Sequence, residues 1–361
     1  HSSDPLLSLA ASWDEIGALF FKPTLIPTSR PAVAKLLSKA GLEGDFSLHG
    51  LTGSANNQVF RVDARDSSAL LKAYFYHEED ERDRLGAEFS FSQFAWDKGA
   101  RGCPRPLARD NRLRLGLYEF VKGRRPMAHE ITEDLVRQAL EFFRRINRHK
   151  DAPAARALPK ASEACFSISQ HLACVEGRLE RLKGLERTSS ESVPAVDFIR
   201  GELVDSWEDT VASVRRQARE MGLAMEREIS PEDRCLSPSD FGFHNSLLTE
   251  NGILRFIDFE YAGWDDPAKT VCDFFSQPAL PVSLDYFELF ARGVVSDLKS
   301  SEGHLRRISL LLPVHRVKWC CILLNEFLPV GRARRRFARH AEHGPRQLDM
   351  AKRLLRSLSR S

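Results

Sequence analysis

The stretch from Pro238 to Glu260 constrains this chain more than any other. In Pro238-Ser-Asp240-Phe-Gly-Phe-His-Asn245 an aspartate precedes an asparagine by five positions, and Ile257-Asp258-Phe-Glu260 brings a second aspartate 258 − 240 = 18 positions after the first. Between them, Leu247-Leu248 and Ile253-Leu-Arg-Phe-Ile257 flank Asn251-Gly252, the dipeptide best suited to a two-residue hairpin turn. The stretch therefore predicts a loop, a short β-hairpin and a metal-binding aspartate, in that order. That order suits phosphoryl transfer from ATP: Asp240 takes the proton of an acceptor hydroxyl, while Asn245 and Asp258 offer hard oxygen ligands to Mg²⁺.

The preceding half of the chain supplies the other parts that this chemistry needs. Residues 46–51, 58–62 and 69–74 alternate or run apolar like strands, separated by the turn-prone segments 53–57 and 63–68. A helix is expected over 79–96 and another strand over 113–121. Lys72 lies within an apolar strand, where a charge is costly unless paired, so a phosphate and a carboxylate are its expected partners. Glu88 fits better than Glu78, Glu79 or Glu81, because Leu85 and Phe91, three positions to either side, put it near the apolar face of its helix. The segment 53–57, with Gly53, Ser54 and Asn57, reads either as a phosphate-covering loop that uses backbone N–H groups or as an ordinary turn.

After Gly123 the texture changes. Ile131, Leu135, Ala139, Phe142, Phe143 and Ile146 recur at helical spacing, and most of the remaining chain reads as helix or loop. The fold class is thus α+β in two lobes: a helical extension over 1–45, with Ser29-Arg-Pro31 opening a helix and Gly41 ending it; a β-rich nucleotide lobe over 46–122; and a helical lobe over 123–361 carrying the catalytic loop and the acceptor site.

Composition narrows the partners. With 53 Lys plus Arg against 50 Asp plus Glu, no whole-molecule field favours nucleic acid or an anionic membrane, and the Arg332–Arg336 cluster reads as a solvated face. The seven cysteines form no C-x-x-C pair and read as reduced thiols; no signal-peptide pattern opens the chain, and charges interrupt its richest apolar stretch, 308–328. These features point to the cytoplasm, with oligomeric state left open.

The run Gly53, Lys72, Glu88, Tyr118-Glu-Phe-Val121, Asp240, Asn245 and Asp258 resembles the aminoglycoside phosphotransferase and choline kinase superfamily, over about residues 46–280. The segment Ile257-Asp-Phe-Glu-Tyr-Ala-Gly263 is particularly similar to choline, ethanolamine and thiamine kinases. The resemblance implies a bilobal protein-kinase-like fold, with ATP and Mg²⁺ as cofactors (GTP is not excluded) and a small-molecule hydroxyl as acceptor. It implies Asp240 as base, Asn245 and Asp258 on Mg²⁺, Lys72 on the α- and β-phosphates, Glu88 as its ion-pair partner, Glu119 and Val121 as hinge positions whose backbone meets adenine, and Asp273 as a structural aspartate. Pro238-Ser239 stands where His-Gly is usual, and Gly242 stands where histidine is common. These departures motivate the alternative of a catalytically impaired nucleotide-binding pseudokinase. A protein kinase fits less well, since no Ala-Pro-Glu closes an activation segment.

For the acceptor, Glu260, Tyr261, Trp264, Asp265 and Asp266 argue mildly for an amine, although sugar hydroxyls are equally open. Over about 310–328 a helical projection gathers His315, Lys318, Ile322, Asn325 and Glu326 into one sector, so this polar stripe is expected to line solvent or a cleft, with Lys318 and Asn325 on the acceptor in the second case.

Overall fold

The computed structural model describes residues 29–51, 56–65, 67–78, 82–338 and 344–358. The smaller lobe is a five-stranded antiparallel sheet of β1 (Phe46–Leu51), β2 (Gln58–Ala64), β3 (Ser67–Ala73), β4 (Pro106–Asp110) and β5 (Leu115–Glu119), in the order β1-β2-β3-β5-β4. Helix α1 (Arg30–Lys39) is not a free extension: Val33, Leu36 and Leu37 share one apolar cluster with Phe46, Val62, Leu71 and Leu115 of the sheet. Gly41, just past its end, takes a left-handed φ of 72°. Helix α2 (Arg84–Asp97) starts later than the sequence suggests, because the Asp83 side chain caps it by accepting from the Gly86 N–H at 2.8 Å.

The larger lobe contains α3 (Glu133–Asn147), α4 (Pro153–Arg156), α5 (Ile168–Lys183), α6 (Ser192–Phe198), α7 (Val204–Glu220), α8 (Pro267–Ser276), α9 (Phe287–Val295), α10 (Ser301–Leu324), α11 (Pro329–Phe337) and α12 (Gly344–Leu358). Two small antiparallel ladders lie among them: β6 (Cys235–Ser237) with β9 (Gly263–Asp265), and β7 (Ser246–Leu248) with β8 (Leu254–Phe256). The second is the expected hairpin, but its turn differs. A two-residue type I′ turn needs positive φ at both central residues, and of Asn251 and Gly252 only Gly252 has it, at 73°. Instead, the Gly252 N–H donates to the Thr249 carbonyl and the Thr249 N–H to the Ile253 carbonyl, giving a longer loop that ends on a left-handed glycine.

Residues Ser301–Phe327 are long and apolar enough to cross a membrane by length and composition alone, yet they are mostly buried, with α10 packed against α5, α7, α8, α9 and α12. Beside α10 lies an aromatic core. Phe241 packs on Phe256 at 4.9 Å and on Phe274 at 5.3 Å between centroids, Phe243 packs on Phe274, and Phe259 packs on Phe91 of the smaller lobe. The phenylalanines that interleave the polar residues of 240–244 and 258–260 thus point inward and pin the catalytic stretch to the core.

Candidate active site

Lys72 sits on β3 opposite Val59, deep between the lobes. Its Nζ donates to Glu88 Oε2 at 2.6 Å and also to Asp258 Oδ1. The Tyr74 hydroxyl donates to the same Glu88 oxygen at 2.7 Å and lies 2.7 Å from the Tyr118 hydroxyl. Burial pushes the Glu88 carboxyl up to about 7 against the pull of Lys72, and burial raises Asp258 as well. Desolvation works against the Lys72 ammonium, but Asp258 and Glu88 outweigh it and raise its pKa well above the ordinary lysine value. A buried and a partly buried carboxylate around one ammonium make a site short of positive charge. That deficit and the oxygen donors of Asn245 and Asp258 fit a Mg²⁺ ion.

Asp240 follows β6 in a tight loop. Its Oδ2 and its carbonyl both accept from Asn245 Nδ2 at 3.0 Å, and its Oδ1 lies 3.1 Å from His244 Nε2. Asn245 and Asp258 stand at the two ends of the β7–β8 hairpin, closed by an Ile257 N–H donating to the Asn245 carbonyl at 2.9 Å. The hairpin brings Asp258 back beside the loop that it left.

The side chains of residues expected to meet nucleotide through their backbone are engaged within the protein. Asn57 spans Glu260 and the backbone: its Nδ2 donates to Glu260 Oε2 at 2.9 Å and its Oδ1 accepts from the Phe75 N–H. Gly53 and Ser54 lie outside the described residues. The Glu119 N–H donates to the Arg105 carbonyl, and its carboxylate accepts from the Arg105 N–H and from Arg255 Nη2 at 2.8 Å. Val121, just beyond it, is buried at the edge of the lobe boundary.

The acceptor candidates call for a correction. Glu260 is buried and accepts from Asn56, Asn57 and Arg84, all of the smaller lobe. Trp264 donates its indole N–H to the Ala155 carbonyl at 2.9 Å, and Asp265 is buried against Lys269 at 2.5 Å. His315 and Lys318 are buried and turned to a carboxylate of the chain rather than to solvent. Lys318 Nζ donates to both Asp273 oxygens, at 2.9 and 2.7 Å, and His315 Nδ1 lies 2.9 Å from the same carboxylate. The polar stripe exists because a buried aspartate needs a cation and hydrogen bonds, and α10 supplies them to α8 through Lys318 and His315. Asn325 lies just past the end of α10, half-buried. Beside Asp240 the structure instead brings His244, whose ring meets that of Trp319 edge-on at 6.2 Å. Neither stands out in the sequence; the one signal for His244 is its place next to Asn245.

The sequence matches the phosphotransferase enzyme family, APH, over residues 47–276, which is most of the chain. The chain belongs to that family. No curated protein matches it. Among solved structures, the phosphotransferase is similar to the spectinomycin phosphotransferase APH(9)-Ia in complex with ADP and spectinomycin, at 12% identity and a TM-score of 0.59, covering 90% of this chain and 98% of that one. A choline/ethanolamine kinase family protein from Mesorhizobium loti gives 18% identity and a TM-score of 0.54, over 91% and 98% of the two chains. The choline kinase LicA from Streptococcus pneumoniae gives 13% and 0.52, over 89% and 96%. At these identities the likeness is one of fold, and the phosphotransferase shares the two-lobed kinase-like architecture.

Proposed function

We propose that this phosphotransferase moves the γ-phosphate of ATP to a hydroxyl of a small molecule, with Asp240 as general base. The observation that supports the reading is that Lys72 Nζ bonds to both Glu88 and Asp258 while Asn245 bonds to Asp240, the two groups being joined where the Ile257 N–H donates to the Asn245 carbonyl. Lys72 would hold the α- and β-phosphates, with Glu88 fixing its ammonium, and Asn245 and Asp258 would hold Mg²⁺. The ion, when bound, offsets phosphate charge. Glu119 and Val121 are the proposed hinge, whose backbone would meet adenine. The acceptor oxygen bonds to the γ-phosphorus as the bond to the β-phosphate oxygen breaks, and the acceptor proton passes to the Asp240 carboxylate. The solved relative bound to ADP and spectinomycin supports a nucleotide and a small acceptor in such a cleft.

Two points refine this reading. Glu260, Asp265, Asp266 and Asp273 each bond to a cation of the chain itself, which removes the argument for an amine drawn from that acidic stretch and leaves amino alcohols and sugars equally open as acceptors. Ser239, in place of the usual glycine, holds a left-handed φ of 66° through a bond from its N–H to Ser237 Oγ at 3.0 Å and one from Lys269 Nζ to its own Oγ at 3.1 Å. These bonds hold the loop that carries Asp240, which favours an active enzyme over a pseudokinase.

The test is Mg·ATP turnover against choline, ethanolamine, thiamine, aminoglycosides and hexoses, with water as the reference acceptor. Asp240→Asn should lower turnover by roughly 10²–10⁴-fold while Mg·ADP still binds, since a base contributes about that much. Wild-type turnover in that variant would overturn the assignment.

A further inference from the structure

We infer that His244 is a positioning residue for Asp240, and that Gly242 is glycine in order to make room for it. This rests on the reading of Asp240 as the base. The Asp240 carboxylate is held from two sides: Asn245 Nδ2 donates to Oδ2 at 3.0 Å, and His244 Nε2 meets Oδ1 at 3.1 Å. With Asn245 alone the carboxylate would be fixed at one oxygen and free to turn about its own bond. The histidine fixes the second oxygen, and with it the direction of the lone pairs that remain for the acceptor proton.

The imidazole is itself held in place. Its ring meets the Trp319 ring edge-on, at 88° between planes, and the Trp319 indole N–H donates to the buried Asp273 at 3.0 Å. A line of contacts therefore runs from the interior of α8, through α10, to the carboxylate. The other ring nitrogen, Nδ1, is buried and has no hydrogen-bond partner among the described residues. A histidine serving only the core would be expected to satisfy that atom; here the ring is oriented by what Nε2 does.

Gly242 gives the second, independent observation. Its φ is 170°, an extended conformation open to any residue, so backbone strain does not require glycine there. A Cβ on Gly242 would lie 2.7 Å from His244 Nδ1 and 2.9 Å from its Cε1. Any side chain at 242 pushes the imidazole away from where it now meets Asp240. The two positions are tied: the glycine clears the space and the histidine uses it.

A double-mutant cycle tests this, with hydrolysis of Mg·ATP, water standing in for the acceptor, as the probe, and Mg·ADP affinity and thermal midpoint as controls. His244→Ala should lower kcat by roughly 10–100-fold, as loss of alignment at a reacting group does, with Mg·ADP affinity and the KM for ATP changed less than about threefold. Gly242→Ala, which keeps the histidine but displaces it, should lower kcat in the same way, and the double variant should be no worse than His244→Ala alone. His244→Gln, whose amide can still donate to Oδ1, should recover part of the rate. Unchanged kcat in His244→Ala, with Asp240→Asn inactive, would overturn the inference and leave the kinase reading standing; an active Asp240→Asn would remove both. Should His244→Ala lose its fold, Gly242→Ala and His244→Gln decide, and a lowered thermal midpoint with full kcat in those two would show a merely structural histidine.

Discussion

Ser239 and Asp258 both hold left-handed backbone, with φ of 66° and 70°, where side chains other than glycine are strained by about 1–2 kcal/mol. At Ser239 the strain is offset by its bonds to Ser237 and Lys269. Ser239→Gly should therefore change stability by less than about 1 kcal/mol, since strain relief opposes a lost hydrogen bond and a looser unfolded chain. Ser239→Val, β-branched and nearly fully buried, should cost roughly 2 kcal/mol or more in denaturant unfolding; a neutral valine would show that the loop is not held as described. At this scale the sequence is legible at Lys72 and along the catalytic stretch, and not at Glu260 or Lys318, whose partners lie far along the chain. Lys72 in an apolar strand asks for Glu88, and the spacing of Asp240, Asn245 and Asp258 asks for a shared cleft. It is illegible where backbone shape decides, because nothing in the letters of Pro238-Ser239 reveals a left-handed serine.

Among the elements, α10 is the most instructive. Its periodicity gives a polar stripe, but the partner of that stripe, Asp273, lies 318 − 273 = 45 positions away from Lys318, and no local pattern links them. Burial works against the Asp273 carboxylate, yet Lys318, His315 and Lys269 hold its pKa well below the usual range. Burial likewise pushes His315 down to about 3, so its ring is neutral. Lys318→Ala leaves a buried carboxylate short of its main cation and should destabilise the protein by roughly 3–5 kcal/mol in thermal or denaturant unfolding. Unchanged stability with a raised acceptor KM would instead return Lys318 to the acceptor site. The hairpin is legible as an element but not as a turn, because Asn-Gly also serves a longer loop in which only the glycine is left-handed. Strand β4 is hidden because Pro106-Leu-Ala-Arg-Asp110 lacks alternation and its pairing with β5 is irregular.

For the molecule as a whole, the lobes are tied across the cleft as well as joined by the chain. Glu260 of the larger lobe is the centre of one tie, with Asn56, Asn57 and Arg84 of the smaller lobe as donors. A second tie runs from Gln58 Nε2 to the Phe337 carbonyl at the end of α11, where the Phe337 ring also meets Phe75. Burial alone would raise the Glu260 pKa, but Arg84, Lys72 and the two asparagines bring it from the ordinary 4.5 to about 2. A lowered carboxylate pKa gives stability that is fully present above the unfolded value and is lost as pH falls through the folded one. Glu260 should thus contribute roughly 3 kcal/mol at neutral pH that disappears between about pH 4.5 and 2. Glu260→Gln should be less stable at pH 7, and its thermal midpoint should fall less steeply than the wild type's across that window. Parallel curves for the two proteins would remove Glu260 from the tie.

The β7–β8 hairpin touches more than its own two strands. Leu248 exchanges backbone hydrogen bonds with Arg124, at 2.7 and 3.1 Å, and Arg255 holds Glu119, so one ladder is fastened to the segment between the lobes. Its ends carry Asn245 and, two residues beyond β8, Asp258. Three-residue strands are about 10 Å long and stiff when paired. On the proposed reading, the place that receives the base of the nucleotide and the place that receives its metal are the two jaws of one caliper. A change anywhere along the hairpin would then reach both places at once.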